Sequence, residues 1–158
     1  MTTLFDLPPI EQILPHRFPF LLVDRIVSLE AGRRIVGVKR ISHGEPYLAP
    51  GRPPVMPATM IVEAVTQVGA VLVLMTPEHR DKLAVVLGME RVRSRRLVRA
   101  GDTMDIEVTV QKLKGSVGRM AGVVRVDGAL MATGIVTFAL LPRPERQRIA
   151  SPLAASPG

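Results

Sequence analysis

Residues 57–75 (PATMIVEAVTQVGAVLVLM) are the segment that most constrains how this chain can fold. Proline suits the first turn of a helix, because the N–H that it lacks would be unpaired there, so Pro57 marks a helix start. Valine, isoleucine, leucine, methionine and alanine occupy nearly every side of the predicted helix. A helix that is apolar all round is buried. The segment therefore predicts a long helix at the centre of the fold.

Glu63 is the only charged residue in this segment. It belongs to one narrow helical stripe, at the i, i+3 and i+4 spacing that brings side chains together. The stripe comprises Thr59, Glu63, Thr66, Gln67 and Ala70. A buried, ionised carboxylate is costly unless it is compensated. Either Glu63 reaches solvent or a basic residue of the surrounding sheet, or it lines a substrate cavity with Gln67 one turn away.

Composition narrows the class of protein. The 158 residues suit one domain, and with 47% hydrophobic but only 3% aromatic residues the core is aliphatic. The absence of tryptophan argues against a single-strand nucleic-acid module. No cysteine and three scattered histidines give no coordinating set, so no metal is expected. We also expect no secretory signal, no membrane span and a cytoplasmic location.

Period-two alternation outside this segment predicts strands. The further elements are a short helix over residues 8–14, strands over 20–29, 34–41, 83–91, 103–110 and 130–140, and an apolar run before Asp127. Turns are expected at residues 30–32, between Gly115 and Gly118, and at Asp127–Gly128, where both positions need a positive φ.

One helix among antiparallel strands indicates an α+β fold in which the sheet curls around the helix. We expect a single domain over residues 1–141 and a disordered tail over 142–158, where proline, arginine and serine show no periodicity. Such a sheet covers the helix on one side only, which favours dimerisation.

Several short motifs resemble one known family. The first is residues 13–25 (ILPHRFPFLLVDR), and others follow in order through the chain. These are Glu45–Pro46, residues 54–57 (PVMP), Glu63–Ala64 with Gln67, Gly101–Asp102 and residues 126–128 (VDG). Together they resemble the 3-hydroxyacyl-[acyl-carrier-protein] dehydratases of the FabZ type, over roughly residues 10 to 140.

The resemblance implies a hotdog fold, assembled as dimers and often trimers of dimers. It implies a substrate acyl chain on the phosphopantetheine arm of acyl carrier protein, or on coenzyme A, bound in a tunnel at the dimer interface. A loop histidine would take the α-proton, and a glutamate on the partner's helix would handle the departing hydroxyl. A backbone N–H at the helix start would polarise the thioester carbonyl. No further cofactor is implied.

Carried over by motif, Glu63 matches the catalytic glutamate and Gln67 follows one turn on. Ala58 stands at the oxyanion-donor position, and Pro57 and Thr59 flank it as substrate-binding candidates. The family pattern Gly-His-Phe-Pro-Gly is shortened by about two residues here, which places Ala49 where the histidine belongs.

None of the three histidines replaces the missing one outright. His16 belongs to the opening motif, where we assign it a structural role. His43 begins the shortened loop and is an alternative base if that loop folds differently. His79 follows the helix in a polar turn and is expected in solvent.

An arginine cluster comprises Arg91, Arg93, Arg95, Arg96 and Arg99, in a chain of net charge +7. It is either a solvated face or a site for nucleic acid, membrane or an acidic protein. The resemblance favours acidic acyl carrier protein at the tunnel mouth.

Three functions remain open. The chain is a dehydratase of fatty-acid or related biosynthesis, with His43 or a histidine from a homo- or heteromeric partner as base. Alternatively it is a non-catalytic acyl-thioester-binding subunit. The third option is a hotdog thioesterase in which Glu63 activates water.

Overall fold

The computed structural model describes residues 7–144. Two α-helices and six strands follow one another along the chain, with a short 3₁₀ turn at Pro77–His79. They are α1 (Ile10–Ile13), β1 (Arg25–Glu30), β2 (Arg34–Arg40), α2 (Ala58–Leu74), β3 (Lys82–Ser94), β4 (Thr103–Lys114), β5 (Val117–Val126) and β6 (Ala129–Pro142).

The six strands form one antiparallel sheet in the order β1-β2-β4-β5-β6-β3, so β1 and β3 lie at its edges. Helix α2 packs against β2, β3, β4, β5 and β6, and the buried core lies between helix and sheet. The predicted antiparallel sheet of about six strands wrapped around one long helix is confirmed. Among residues 7–144, no helix combines the length and hydropathy needed to cross a bilayer.

The alternation in β4 shows why the sheet has one apolar face. Met104, Ile106 and Val108 are buried against the helix, whereas Thr103 and Asp105 point to solvent. Successive side chains of a strand point to opposite faces, so apolar residues at every second position suffice to cover α2.

Strand β5 comes close to the helix at Gly122. A Cβ added to Gly122 would collide with Cγ1 of Val65. At the β5–β6 turn, Asp127 and Gly128 have φ of 49° and 78°, as the hairpin motif predicts.

Several element boundaries differ from the predictions: α1 is shorter, and β3, β4 and β6 run on to Ser94, Lys114 and Pro142. Three other differences concern the start of α2, the first strand and the turn before β5. Pro57 is the N-cap of α2 and not its first helical residue, since its ψ is 141°. The first strand begins at Arg25 and not at residue 20. Gly118 lies inside β5, so the preceding turn is only Gly115–Ser116.

The first of these strands is shorter than predicted because tertiary hydrogen bonds compete for its backbone. The Phe20 carbonyl and the Leu22 N–H are bonded to the Gln67 side chain of α2. The predicted tail overlaps the end of β6 at Pro142, and residues 145–158 lie outside the described residues.

The close approach at Gly122 gives a stability test. We expect Gly122→Ala to lower the free energy of unfolding by about 1–3 kcal/mol, because the new methyl group must displace Val65 or the strand. Urea denaturation followed by circular dichroism measures the change. Gly44→Ala is the control, since a Cβ there meets nothing nearer than Ser42 Oγ at 3.8 Å. Equal stability of both variants would contradict this packing.

Candidate active site

The two halves of α2 differ in exposure. Every residue from Ala64 to Leu74 is buried, whereas Ala58 and Thr59 in the first turn are exposed and Val62 is partly exposed. Glu63 lies at the edge of this outward stripe, with 27% of its side chain exposed. The carboxylate is therefore neither sealed in the core nor free in bulk water.

Three groups surround the Glu63 carboxylate. Gln67 Nε2 donates to Oε1 over 2.9 Å, and Thr66 Oγ1 donates to Oε2 over 3.3 Å. His16 Nε2 lies 3.4 Å from Oε1, which is long for a hydrogen bond but within ion-pair range. Sequence reasoning assigned His16 to the opening motif without locating its partner, and the structure brings it to the glutamate.

The environment lowers the pKa of Glu63 below its ordinary value. The His16 imidazole is the largest cause, desolvation opposes it, and the hydrogen bonds from Gln67 and Thr66 add to it. Glu63 is therefore ionised at neutral pH. Because its folded pKa is the lower one, its contribution to stability is present above the unfolded pKa and is lost as pH falls through the folded pKa.

Gln67 is completely buried and joins the helix to the opening motif. Its Oε1 accepts the Leu22 N–H over 2.7 Å, and its Nε2 donates to the Phe20 carbonyl over 2.7 Å as well as to Glu63. Both amide hydrogens are thus engaged within the chain. Its predicted contact with substrate remains a prediction.

The loop before α2 closes tightly. Ala49 and Val55 exchange two backbone hydrogen bonds of 2.8 and 3.0 Å. This pairing closes residues 50–54 into a loop that is largely exposed. Ala49 offers no group that moves a proton. In the described part of the chain His43 is exposed and makes no ion pair with Glu63.

Two motif residues meet at a buried lysine before this loop. Lys39 Nζ lies 2.8 Å from Glu45 Oε1 and 3.3 Å from Asp24 Oδ1. Burial opposes the lysine's charge, but the two carboxylates prevail and raise its pKa. The ion cluster therefore fixes the start of the loop to the opening motif.

The start of α2 presents free backbone donors. No side chain caps the helix, and the N–H groups of Ala58 and Thr59 have no hydrogen-bond acceptor in the described chain. Such groups and the helix dipole favour negative charge. Pro57 precedes them as N-cap, so these three candidate positions lie together on the exposed first turn.

An apolar crevice lies beside the first half of α2. It is shallow and partly open to solvent, with room in this chain for about one water molecule. Its walls are Ile61, Val62 and Val65 of the helix, Val92 of β3, and residues 132–136 of β6. Glu63 is not among its walls, whereas the preceding residue of α2, Val62, is one of them.

The arginine cluster divides in two. Arg91, Arg93, Arg95 and Arg96 are exposed and make no ion pair among residues 7–144. Arg99 is engaged within the chain: its Nη1 donates to the Pro53 carbonyl over 2.9 Å, and its backbone N–H donates to Asp102 Oδ2 over 2.8 Å. Arg99 thus braces the shortened loop.

The third histidine lies elsewhere and was mispredicted. His79 is half-buried, with Nδ1 2.7 Å from Thr76 Oγ1 and 3.1 Å from the Val73 carbonyl. It therefore packs against the end of α2 and is not free in solvent. In the described part of the chain, no group of three or more metal-binding side chains is found.

Comparison with known proteins identifies the family. Residues 14–135 match the FabA-like domain model. The FabZ 3-hydroxyacyl-[acyl-carrier-protein] dehydratase of Thermomicrobium roseum is 48% identical over 84% of this chain and 90% of that protein. This chain belongs to the FabZ dehydratase family. The FabZ dehydratase of Pelotomaculum thermopropionicum, also 48% identical, covers 87% of this chain and 99% of its own length.

Solved structures of the hotdog class share the family's fold. A chain of the dehydratase heterocomplex ApeI:P from Xenorhabdus doucetiae superposes with a TM-score of 0.76 at 20% identity, covering 92% of this chain and 99% of that one. A thioesterase superfamily member from Thermus thermophilus superposes with a TM-score of 0.62 at 13% identity, covering 77% and 90%. At these identities the likeness concerns the fold alone.

The buried amide of Gln67 gives a second test. We expect Gln67→Leu to lower the free energy of unfolding by roughly 2–4 kcal/mol, because it leaves the Leu22 N–H and the Phe20 carbonyl unpaired. Thermal and urea unfolding measure this change. Gln111→Leu, on the exposed part of β4, is the matched control with little expected effect. A Gln67 variant as stable as the control would show that these hydrogen bonds make no net contribution to the free energy of unfolding.

Proposed function

We propose that this FabZ-family chain binds 3-hydroxyacyl thioesters and supplies the carboxylate of a dehydratase site, while the base comes from a second, histidine-bearing family subunit. The observation that carries this is the state of Glu63: a partly exposed, ionised carboxylate held on the helix that the family uses. The loop that would carry the base has Ala49 at the corresponding position.

The elimination breaks the Cα–H and Cβ–O bonds and forms a carbon–carbon double bond and water. In the proposed site the partner's histidine takes the α-proton and returns it to the departing hydroxyl, so the histidine ends neutral. An ionised Glu63 is an acceptor only, and it holds the β-hydroxyl by accepting its hydrogen bond. The free N–H of Ala58 polarises the thioester carbonyl as negative charge develops on its oxygen.

The apolar crevice suits the acyl chain. Its aliphatic walls run between α2 and β6, and Val62 links it to the side of the helix on which Glu63 lies. Ligand sites of this kind combine apolar walls with a few placed polar groups. The thioester would then lie over the first turn of α2, near Pro57 and Thr59, with its chain directed toward Ile61 and Val65.

Strand β3 is the proposed contact with the second subunit. It is an edge strand with exposed apolar side chains, which are Val85, Val86, Leu87, Met89 and Val92. Exposed apolar edges invite strand pairing. A partner there would cover the crevice next to Val92, and a heterocomplex is the assembly named for the ApeI:P dehydratase.

The proposed role in acyl-chain biosynthesis implies that the protein acts in the cytoplasm.

A second candidate function is thioester hydrolysis. The partial exposure and ionised state of Glu63 favour it, because an accessible carboxylate can orient a water molecule without any histidine, although its lowered pKa makes it a weak base. The products separate the two functions, since hydrolysis releases a free thiol and dehydratase chemistry does not. A chain that binds thioesters without any turnover is the third outcome.

The deciding experiment uses a mixed oligomer. The chain is co-expressed with a histidine-bearing FabZ dehydratase whose own helix glutamate is replaced by glutamine, and hydration of a crotonyl thioester is measured. We expect the mixed oligomer to be active and the chain alone to be slower by about 10²–10⁴, the usual contribution of a positioned base. Glu63→Gln should abolish the activity of the mixed oligomer.

Glu78→Gln is the matched control, because Glu78 is an exposed acid in the 3₁₀ turn after α2. Hydration by the chain alone at the rate of the mixed oligomer would refute the missing-base proposal. As a complementary arm, a Gly-His pair inserted between Ala49 and Pro50 should give the isolated chain hydration activity. If neither the mixed oligomer nor the Gly-His variant hydrates the thioester, the proposed role of Glu63 in the reaction is rejected.

We further propose that the exposed arginines receive the acidic acyl carrier protein. Charge complementarity of this kind mainly raises the association rate and is screened by salt. We expect Arg93→Glu with Arg96→Glu to weaken carrier-protein binding about tenfold or more at low salt, and the difference to shrink as salt rises. Titration calorimetry over a salt series measures it.

Lys112→Glu with Lys114→Glu provides the control for net charge, because both lysines are exposed on β4 and the charge change is the same. Equal weakening by both double variants would mean that only overall charge matters. Binding that ignores salt and both variants would reject the arginine surface.

A further inference from the structure

The two oxygens of Glu63 are not equivalent. Oε1 accepts from Gln67 Nε2 and faces His16 Nε2 at 3.4 Å. Among residues 7–144, Oε2 receives only the Thr66 hydroxyl at 3.3 Å, and that hydroxyl lies closer, at 2.8 Å, to the backbone carbonyl of Glu63. Oε1 is therefore held by the protein, and Oε2 is the oxygen with free accepting capacity.

His16 is held in place by its own loop. Arg17 Nη1 donates to the carbonyls of Leu14 and His16 over 3.0 and 2.7 Å, and the Phe20 N–H closes a turn onto the Arg17 carbonyl over 2.7 Å. Gln67 anchors the next residues of the same loop to α2. The backbone that carries the imidazole is thus held beside Glu63 by local hydrogen bonds within its loop and by the two tertiary bonds of Gln67.

The ring of His16 faces the glutamate with one nitrogen only. Its Nε2 points at Glu63, while its Nδ1 is buried and has no hydrogen-bond partner among residues 7–144. A buried polar atom without a partner is costly, so hydrogen bonding at Nδ1 does not explain why the ring is placed here. The contact with Glu63 is the one polar interaction that this side chain makes in the described part of the chain.

We propose that His16 is the positioning residue of this site: with Gln67 it fixes Oε1 of Glu63, so that Oε2 is presented to the β-hydroxyl of the substrate. The inference rests on the proposed function for the identity of that hydroxyl. The orientation of the carboxylate does not depend on it. His16 acts through Glu63 and does not itself touch substrate.

The electrostatic surroundings of Glu63 are simple. From its own helix, Thr66 and Gln67 face it and neither titrates. From the N-terminal loop, His16 is the titratable side chain within ion-pair distance, and Arg17 is turned to backbone carbonyls. Loss of the His16 donor should therefore raise the pKa of Glu63 toward its ordinary value, with no second cation in contact to compensate.

A pair of amide substitutions tests which nitrogen matters. Gln places its N–H₂ near the Nε2 position of histidine and Asn places it near Nδ1. We expect His16→Gln to leave the pKa of Glu63 unchanged and His16→Asn to raise the pKa of Glu63. The ¹³C chemical shift of the Glu63 carboxyl carbon, assigned with Glu63→Gln in the full chain, reports this titration without any substrate.

Kinetics of the mixed oligomer give the second readout. His16→Asn should lower kcat about tenfold to a hundredfold with KM little changed, since misplacing a reacting group by about 1 Å has effects of that size. His16→Gln should restore kcat. His79→Asn is the control for the titration, because His79 contacts Thr76 and Val73 and not Glu63.

The two proposals fail separately. A Glu63 titration that is the same in His16→Asn and the unaltered chain would overturn the positioning role, whatever the activity. Equal changes of the Glu63 pKa in His16→Asn and His16→Gln would also overturn the positioning role, because the position of the N–H donor would then make no difference. A shifted titration in an inactive mixed oligomer would uphold the positioning of Glu63 and reject the dehydratase function.

Discussion

The buried amide of Gln67 is the interaction on which the arrangement of the site depends. It bonds the loop that precedes β1 to α2 through two backbone groups, and it bonds Glu63 through the remaining amide hydrogen. A buried amide is stabilising only when its partners are all present. The loop that carries His16 and the helix that carries Glu63 are therefore fixed as one unit.

The outward half of α2 follows from the shape of the sheet. Six strands curl around one helix and bury its C-terminal half, while the first turns remain partly exposed beside the edge strand β3. The free N–H groups, Glu63 and the apolar crevice all lie along this uncovered part. In the proposed function this uncovered part is one half of the site, which is the physical reason for placing the base on a second subunit.

The state of Glu63 decides which chemistry suits that half-site. A carboxylate surrounded by donors is an acceptor, so it holds a hydroxyl or a water molecule and does not supply a proton by itself. In the proposed reaction Glu63 therefore serves as a hydrogen-bond acceptor and not as the acid. Arg99 and the Ala49–Val55 pairing hold the loop before α2, and in the described part of the chain His43 at its start makes no ion pair with Glu63.

Local pattern was enough to predict most of the architecture. Apolar residues on every side of residues 57–75 predict a buried helix, alternation predicts strands such as β4, and the Asp127–Gly128 hairpin needs only its own two residues. These features depend on periods of 3.6 and 2 and on local backbone preferences. The family motifs also predict a catalytic role for Glu63 and a family histidine missing at Ala49, and both stay predictions.

Only the tertiary structure brought His16 to Glu63, ended the first strand at Arg25, and turned Arg99 from a surface cation into a loop brace. Each of these depends on groups far apart in the chain, and Gln67 reaches residues 45 and 47 positions away. The sequence by itself determined which segments form the long helix and the strands, because these follow from composition and period. The packing of helix on sheet decided which polar groups meet, since hydrogen bonds between distant residues leave no period in the sequence.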